Sequence, residues 1–231
     1  MWLIIKYSPT SLFSLKNSSA TNSAGKSLLV PSPYSVKMAL LNAIITYDSL
    51  EIAKENFDLI RDLEIKFSTP DFLVVNNCLI RILKDNDKVS KEVKVEKPFK
   101  TTIAFREYVY LNDDIKIAVN LNTNRLIFPQ GIEFLKKWFM HINYFGKKDC
   151  FFQFKGFEES EKLDDSLFTS KIKEGFKPGV FVQMDDVDNK VDFESMNNYN
   201  SSRKAKRISN IYCLPLTLKK SSKTFSYYEK I

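Results

Sequence analysis

The sequence predicts an α+β protein built on a ferredoxin-like, RRM-like βαββαβ unit. Three observations carry that expectation. The chain opens with an apolar strand, a well-marked helix follows a polar connection, and two strands, another helix and a further strand come later in that order.

The first strand is read over residues 2–8, "WLIIKYS", too short and too quickly polar for a signal peptide. Residues 11–30 form a serine-rich connection, and the first helix spans 33–47. Its start is explicit: Ser32 can cap, Pro33 suits the first helical position, and Val36, Ala39, Leu40, Ala43, Ile44 and Tyr47 recur at helical spacing. A second helix is expected over about 48–64, with Leu50, Ala53, Phe57 and Ile60 on one side. A strand from Asp71 to Leu83 is interrupted by Asn76 and Asn77, and residues 85–100 read as a lysine-rich protruding hairpin or arm. "TTIAFREYVYLN" resumes as a strand, with "DIKIAVNLN" as its expected antiparallel partner across Asn112-Asp113. A helix from "PQGIEFLKKW", with Ile132, Leu135, Phe139 and Ile142 inside, precedes the strand "DCFFQFKGF". Short strands and loops complete the chain. The open face of such a sheet is where RRM modules stack single-stranded RNA on aromatics between basic rims.

"AGKS" at residues 24–27 raises a nucleotide-binding reading, which the surrounding residues oppose. A P-loop needs glycine where Ala20 stands and a helix starting at the lysine. Pro31 and Pro33 forbid a helix running on from Lys26. Instead Lys26, Ser32, Tyr34, Ser35 and Lys37 gather at the start of the first helix, an arrangement suited to an anion such as a nucleic-acid backbone. Lys37→Ala is expected to leave folding intact and to weaken RNA binding.

Composition narrows the classes. At 231 residues the chain can hold one large domain or two small ones, and no run is long enough for a transmembrane helix. Cys78, Cys150 and Cys213 are scattered without a CxxC pair, so zinc and a disulfide framework are not indicated and a reducing cytoplasm is expected. The formal charge is +7, and residues 200–231 alone carry eight basic residues against one acid. Residues 158–194 hold eleven acids and five lysines. This polarity points to a basic face for nucleic acid and an acidic face elsewhere, toward protein.

Four stretches, "VPSPYSVKMALLNA" (30–43), "TTIAFREYVYLND" (101–113), "INYFGKKDCFFQF" (142–154) and "YCLPLTLKKSSKTFSYY" (212–228), together resemble the Cas-five family of CRISPR-associated RAMP proteins. The resemblance implies an RRM-like RAMP domain over 1–155, with an extended hairpin thumb around 85–100. A variable β-rich C-terminal region with a basic tail would fill 156–231. It further implies a subunit of a type I Cascade effector complex that binds and caps the 5′ handle of crRNA. Such a subunit contacts the large subunit and a backbone subunit, meets target DNA through the complex, and has no membrane association and no cofactor.

The turn "FGKKD" then falls near the handle: Gly146 permits a tight turn, and Lys147 and Lys148 offer phosphate partners beside Tyr144. Tyr108 and Tyr144 are candidates for base stacking, with Asn76, Asn77 and Arg106 as hydrogen-bonding neighbours. Lys100, and Arg203 in the basic tail, complete the expected RNA-binding set.

No catalytic or metal-binding residue is assigned, so the chain reads as a cap without turnover. The alternative is a metal-independent endoribonuclease, which needs a general base, a general acid and a positive group at the developing charge. His141 is the sole histidine and reads as a half-buried structural residue on an aromatic-rich helix. Tyr34, Lys100 and Arg106 form no tight constellation. The pairs Asp164-Asp165 and Asp185-Asp186 read as solvated surface.

Overall fold

Strand β1 (Trp2–Pro9) is buried on both faces: Leu3, Ile5 and Tyr7 enter the main core, while Ile4 turns the other way against Ala118 and Phe168. The computed structural model describes residues 1–17, 25–85, 99–121, 129–172, 177–196 and 207–231. After β1 the chain forms a small ribbon, β2 (Leu15–Lys16) with β3 (Ser27–Leu28), and then α1 (Pro33–Tyr47). The α1 boundaries agree with the sequence reading because the cap forms as expected: Ser32 Oγ accepts from the Ser35 N–H at 3.2 Å, and Pro33 sits in the first turn. α1 is buried on several sides, and Tyr47, expected inside, is 59 % exposed at its end.

The expected single helix over 48–64 is two short ones, α2 (Leu50–Glu55) and α3 (Phe57–Arg61), broken at Asn56. Asn56 turns its side-chain amide back onto the Ile52 carbonyl at 2.9 Å, the local competition that makes asparagine poor in helix interiors. Ala53, Phe57 and Ile60 are buried as expected, whereas Leu50 is exposed.

Four strands build the first sheet in the order β4 (Ile65–Ser68), β7 (Ile115–Asn120), β1, β8 (Phe152–Ser160), every neighbour antiparallel. α1 falls between β1 and β4 in sequence, and α4 (Pro129–Met140) between β7 and β8. Leu135, Trp138 and Phe139 anchor α4 in the core, and Ile142 is buried just beyond it. The far face of this sheet is partly covered by the Ile4–Ala118–Phe168 cluster with Trp2 and Leu163. It is not the open aromatic face the RRM analogy predicts.

Between β4 and β7 the chain makes a long hairpin, β5 (Phe72–Asp85) with β6 (Phe99–Leu111), in unbroken register from Leu73↔Leu111 to Asp85↔Phe99. Of the polar arm read at 85–100 the structure describes only Asp85, Phe99 and Lys100, and residues 86–98 lie outside those described. The expected pairing of β6 with β7 does not occur. β7 is apolar on both faces (Ile115, Ile117, Ala118, Val119), which suits a central strand between β4 and β1 rather than a hairpin partner. Asn112 ends β6 by accepting from the Phe72 N–H, and the chain then crosses from one sheet to the other.

The C-terminal half is woven into the same core. β10 (Val180–Val187) pairs β11 (Arg207–Leu214), which also pairs β9 (Ser170–Lys171). β12 (Leu216–Ser221) and β13 (Phe225–Lys230) extend the hairpin into a second sheet, ordered β12-β13-β5-β6. Met184, Tyr212 and Leu214 share one buried cluster with Leu3 and Ile5, and the division expected at 155/156 falls inside β8. Asp185 and Asp186, expected in a solvated loop, are buried on β10. Among the described residues no helix is long and apolar enough to cross a membrane.

Candidate nucleic-acid interface

The turn that closes the "YFGKKDC" segment is built from backbone bonds. Phe145 N–H donates to the Cys150 carbonyl at 3.3 Å, Lys147 N–H to Phe145 at 2.8 Å, and Cys150 N–H to Lys147 at 3.1 Å. Gly146 takes φ 70°, in the left-handed region where glycine is favoured, and a Cβ there would stand 3.1 Å from Leu15 Cδ2. Phe145, fully buried against Tyr7 and Phe152, fixes the turn to the core. Tyr144 and Lys147 are thereby held at the surface, both partly exposed.

This turn faces the start of α1 across a cleft of about 640 Å³, whose other walls are the β2–β3 ribbon and the β10–β11 pair. Six of the residues expected from sequence line it: Ser32, Tyr34, Ser35, Tyr144, Gly146 and Lys147. Two cations not singled out beforehand join them, Lys16 from β2 and Arg207 from β11. The Arg207 guanidinium lies 4.1 Å from the Tyr34 ring centroid and 3.7 Å from an Asp185 carboxylate oxygen, so a stacking contact and an ion pair orient it. The cleft combines cationic edges (Lys16, Lys147, Arg207), tyrosine rings, polar groups on Asn42 and Gln183, and the α1 N-terminus. Phosphates suit the edges, and an unpaired base suits the aromatic and amide interior.

Other expected residues lie elsewhere. Lys37 is a correction. Its side chain is inside the protein, its ammonium 2.7 Å from Asp186 Oδ1 and 2.7 Å from the Arg61 carbonyl, so it ties α1 to β10 and α3 and cannot meet RNA. Burial pulls its pKa below the usual lysine value, with Asp186 opposing that fall. Lys26 is exposed on the ribbon outside the cleft lining, and Lys148 is exposed at the turn. Asn76, Arg106 and Tyr108 share one face of the second sheet, where Asn76 stands opposite Tyr108 and Cys78 opposite Arg106. Asn77 is on the reverse face, tied through its backbone to Thr224 and its amide to the Lys223 carbonyl. Lys100 is exposed on the arm, opposite Lys84. Arg203 lies outside the described residues.

Gly25 and Ser27 of "AGKS" are engaged within the protein. Gly25 N–H donates to the Phe105 carbonyl at 3.3 Å, Ser27 N–H to Glu107 Oε2 at 2.7 Å, and Ser27 Oγ accepts from Leu15 at 2.9 Å. The helix begins only at Pro33, so no helix N-terminus stands at Lys26. His141 is exposed rather than half-buried. Its ring stacks on Tyr47 at 4.7 Å, and it is not among the residues lining the cleft.

Sequence could have flagged Arg207, the basic residue immediately before the alternating "ISNIYCL" strand. A cation at a strand start is held in place by the ladder, as Arg207 is by its pairing with Val187. Lys16, in a two-residue strand, leaves no comparable signal.

No protein-family model matches the chain. The chain is similar to the CRISPR-associated protein Cas5 of Archaeoglobus fulgidus, 25% identical over 207 residues that cover 86% of this chain and 85% of the relative. In fold it resembles a CRISPR protein from Archaeoglobus fulgidus known from a crystal structure. That match has TM-score 0.52 and 11% identity, and covers 100% of this chain and 92% of the other. A chain of a CRISPR RNA-guided surveillance complex superposes at TM-score 0.43 with 11% identity, too distant to carry an argument.

Proposed function

We propose that this chain, similar to the CRISPR-associated protein Cas5 of Archaeoglobus fulgidus, binds and caps the 5′ handle of crRNA within a type I Cascade effector complex. The observation that carries the proposal is the cleft where Ser32, Tyr34, Tyr144, Gly146 and Lys147, far apart in sequence, converge with Lys16 and Arg207. Lys147, Lys16 and Arg207 hold handle phosphates, and a tyrosine ring of the cleft stacks an unpaired base. The sheet order β4-β7-β1-β8, with a helix after the first and third strands of the unit, is read as a ferredoxin-like core. The β5–β6 hairpin is its thumb-like insertion.

The role is one of binding without turnover. Among the described residues lining the cleft the carboxylate is Asp185, engaged with Arg207, and the histidine lies elsewhere. The large subunit and a backbone subunit are the expected protein partners, with target DNA reached through the assembly.

The test is fluorescence anisotropy with a repeat-derived handle RNA and a scrambled RNA of equal length. The wild type prefers the handle, and Lys147→Gln/Arg207→Gln loses affinity at unchanged melting temperature. Equal binding of both RNAs, or full handle affinity in the double variant, would sink the proposal.

A further inference from the structure

The second sheet has one face in the core, carrying Leu73, Val75, Val109 and Leu111. Directly opposite residues of a ladder share a face, so the pairs Asn76↔Tyr108, Val74↔Tyr110, Asn76↔Phe225, Val74↔Tyr227 and Tyr227↔Lys220 assemble the other one. That outer face presents Tyr108, Phe225 and Tyr227 partly exposed and Tyr110 46% exposed. Phe72 joins them, its ring 5.7 Å from that of Tyr227.

We infer that this outer face is a second site, separate from the cleft, and that it binds single-stranded nucleic acid by base stacking. The inference stands whether or not the cleft holds the handle.

Three features favour a nucleic-acid strand over a protein partner. The first is spacing: alternate residues on one strand repeat at about 6.8 Å and neighbouring strands lie about 4.8 Å apart, so Tyr108 and Tyr110 on β6 and Phe225 and Tyr227 on β13, with β5 between them, form two columns of rings about 10 Å apart. Every base has a π-face, so such a platform accepts a strand without reading its sequence.

The second is charge. Arg106 and Lys220 lie on the same face as the rings, opposite Cys78 and Tyr227. Glu229, an acid among them, is engaged by the Tyr227 hydroxyl at 2.9 Å and Lys219 at 3.7 Å. The third is a further pair of cations on the same face: beyond Ile80 opposite Ala104 and Ile82 opposite Thr102, Lys84 stands opposite Lys100. The core of a protein-docking patch would be poorer in lysine.

The experiment uses fluorescein-labelled oligouridine and oligothymidine with the full chain at low salt. Both probes lack the handle sequence. Tyr108→Ala, Tyr110→Ala and Tyr227→Ala should each weaken binding about five- to a hundredfold, the equivalent of about 1–3 kcal/mol per stacked base. Tyr108→Phe and Tyr227→Phe, which keep the ring, should retain affinity. Tyr47→Ala, at an exposed ring off this face, should change nothing, and melting temperatures establish that each variant is folded. Preference for oligouridine assigns the face to RNA; equal or better binding of oligothymidine assigns it to single strands including DNA. The inference is overturned if neither probe binds the wild type, or if a folded Tyr108→Ala/Tyr227→Ala variant binds as well as wild type. It is also overturned if that variant loses only a co-expressed protein subunit, which would make the face a protein interface.

Discussion

Replacing Lys37 should damage the fold rather than the binding of RNA. Its side chain is 3% exposed and that of Asp186 11%, with the ammonium shared between Asp186 and the Arg61 carbonyl. Burial outweighs Asp186 in setting the direction of the lysine's pKa, so the intact pair adds little net stability. Removing one member is different, because it leaves Asp186 ionised inside the protein with only the Val187 N–H, at 2.8 Å, still donating to it. Lys37→Met should therefore cost about 3–5 kcal/mol, a large part of the roughly 5–15 kcal/mol that holds a typical domain. Lys37→Met/Asp186→Leu should recover most of that loss, since an apolar pair of similar volume carries no stranded charge. Urea denaturation of the three proteins measures both quantities, and handle affinity on the folded fraction of Lys37→Met should equal wild type. A loss below about 1 kcal/mol, or a double variant no better than the single, would refute the reasoning.

Four further outcomes are expected. Ser32→Ala should cost about 1 kcal/mol through loss of the α1 cap, measured by thermal denaturation. Gly146→Ala should cost about 1–2 kcal/mol, because the turn holds φ 70° and the new methyl would press on Leu15; handle RNA should dissociate faster as the turn shifts. The salt dependence of handle binding should have a log–log slope of magnitude about 2 for three phosphate contacts, falling to about 0.7 when Lys147 and Arg207 become glutamine. Lys6 holds the Glu158 carboxyl below its usual range through a 2.5 Å bond, so its stabilising contribution is present above the unfolded value of 4.5 and lost as pH falls through the lower folded value. Glu158→Gln should flatten that acid limb slightly, by no more than the about 0.2–1 kcal/mol of an exposed pair.

The parts legible in the sequence were those written locally. A serine followed by proline and a helical run of apolar residues places α1 to the residue, because capping and the fixed proline φ act within one turn. The lysine-rich stretch read at 85–100 begins where the described β5–β6 ladder ends, at Asp85 opposite Phe99, and its residues 86–98 lie outside those described. The residues around the helix start and the "FGKKD" turn are likewise written locally, and six of them share one cleft.

What depends on distant partners was not legible. "TTIAFREYVYLN" and "DIKIAVNLN" are neighbours in sequence but belong to different sheets, because β13, at the other end of the chain, adds to the sheet of β5 and β6 while β7 is drawn between β4 and β1. Lys37 and Asp186 are 149 residues apart, and nothing near either one announces the pair. The same holds for Arg207, whose orientation over Tyr34 arises only when β11 is laid beside β10.

Ultraviolet cross-linking of the assembled complex, with the cross-linked peptides sequenced, asks where the handle lies. Handle nucleotides should cross-link to Tyr34 or Tyr144 and to peptides carrying Lys147 or Arg207, and His141→Ala should leave the handle RNA intact and bound. Handle cross-links confined to other surfaces, or a repeat RNA cut in EDTA by the wild type but not by His141→Ala, would contradict a handle-binding cleft on a subunit without turnover.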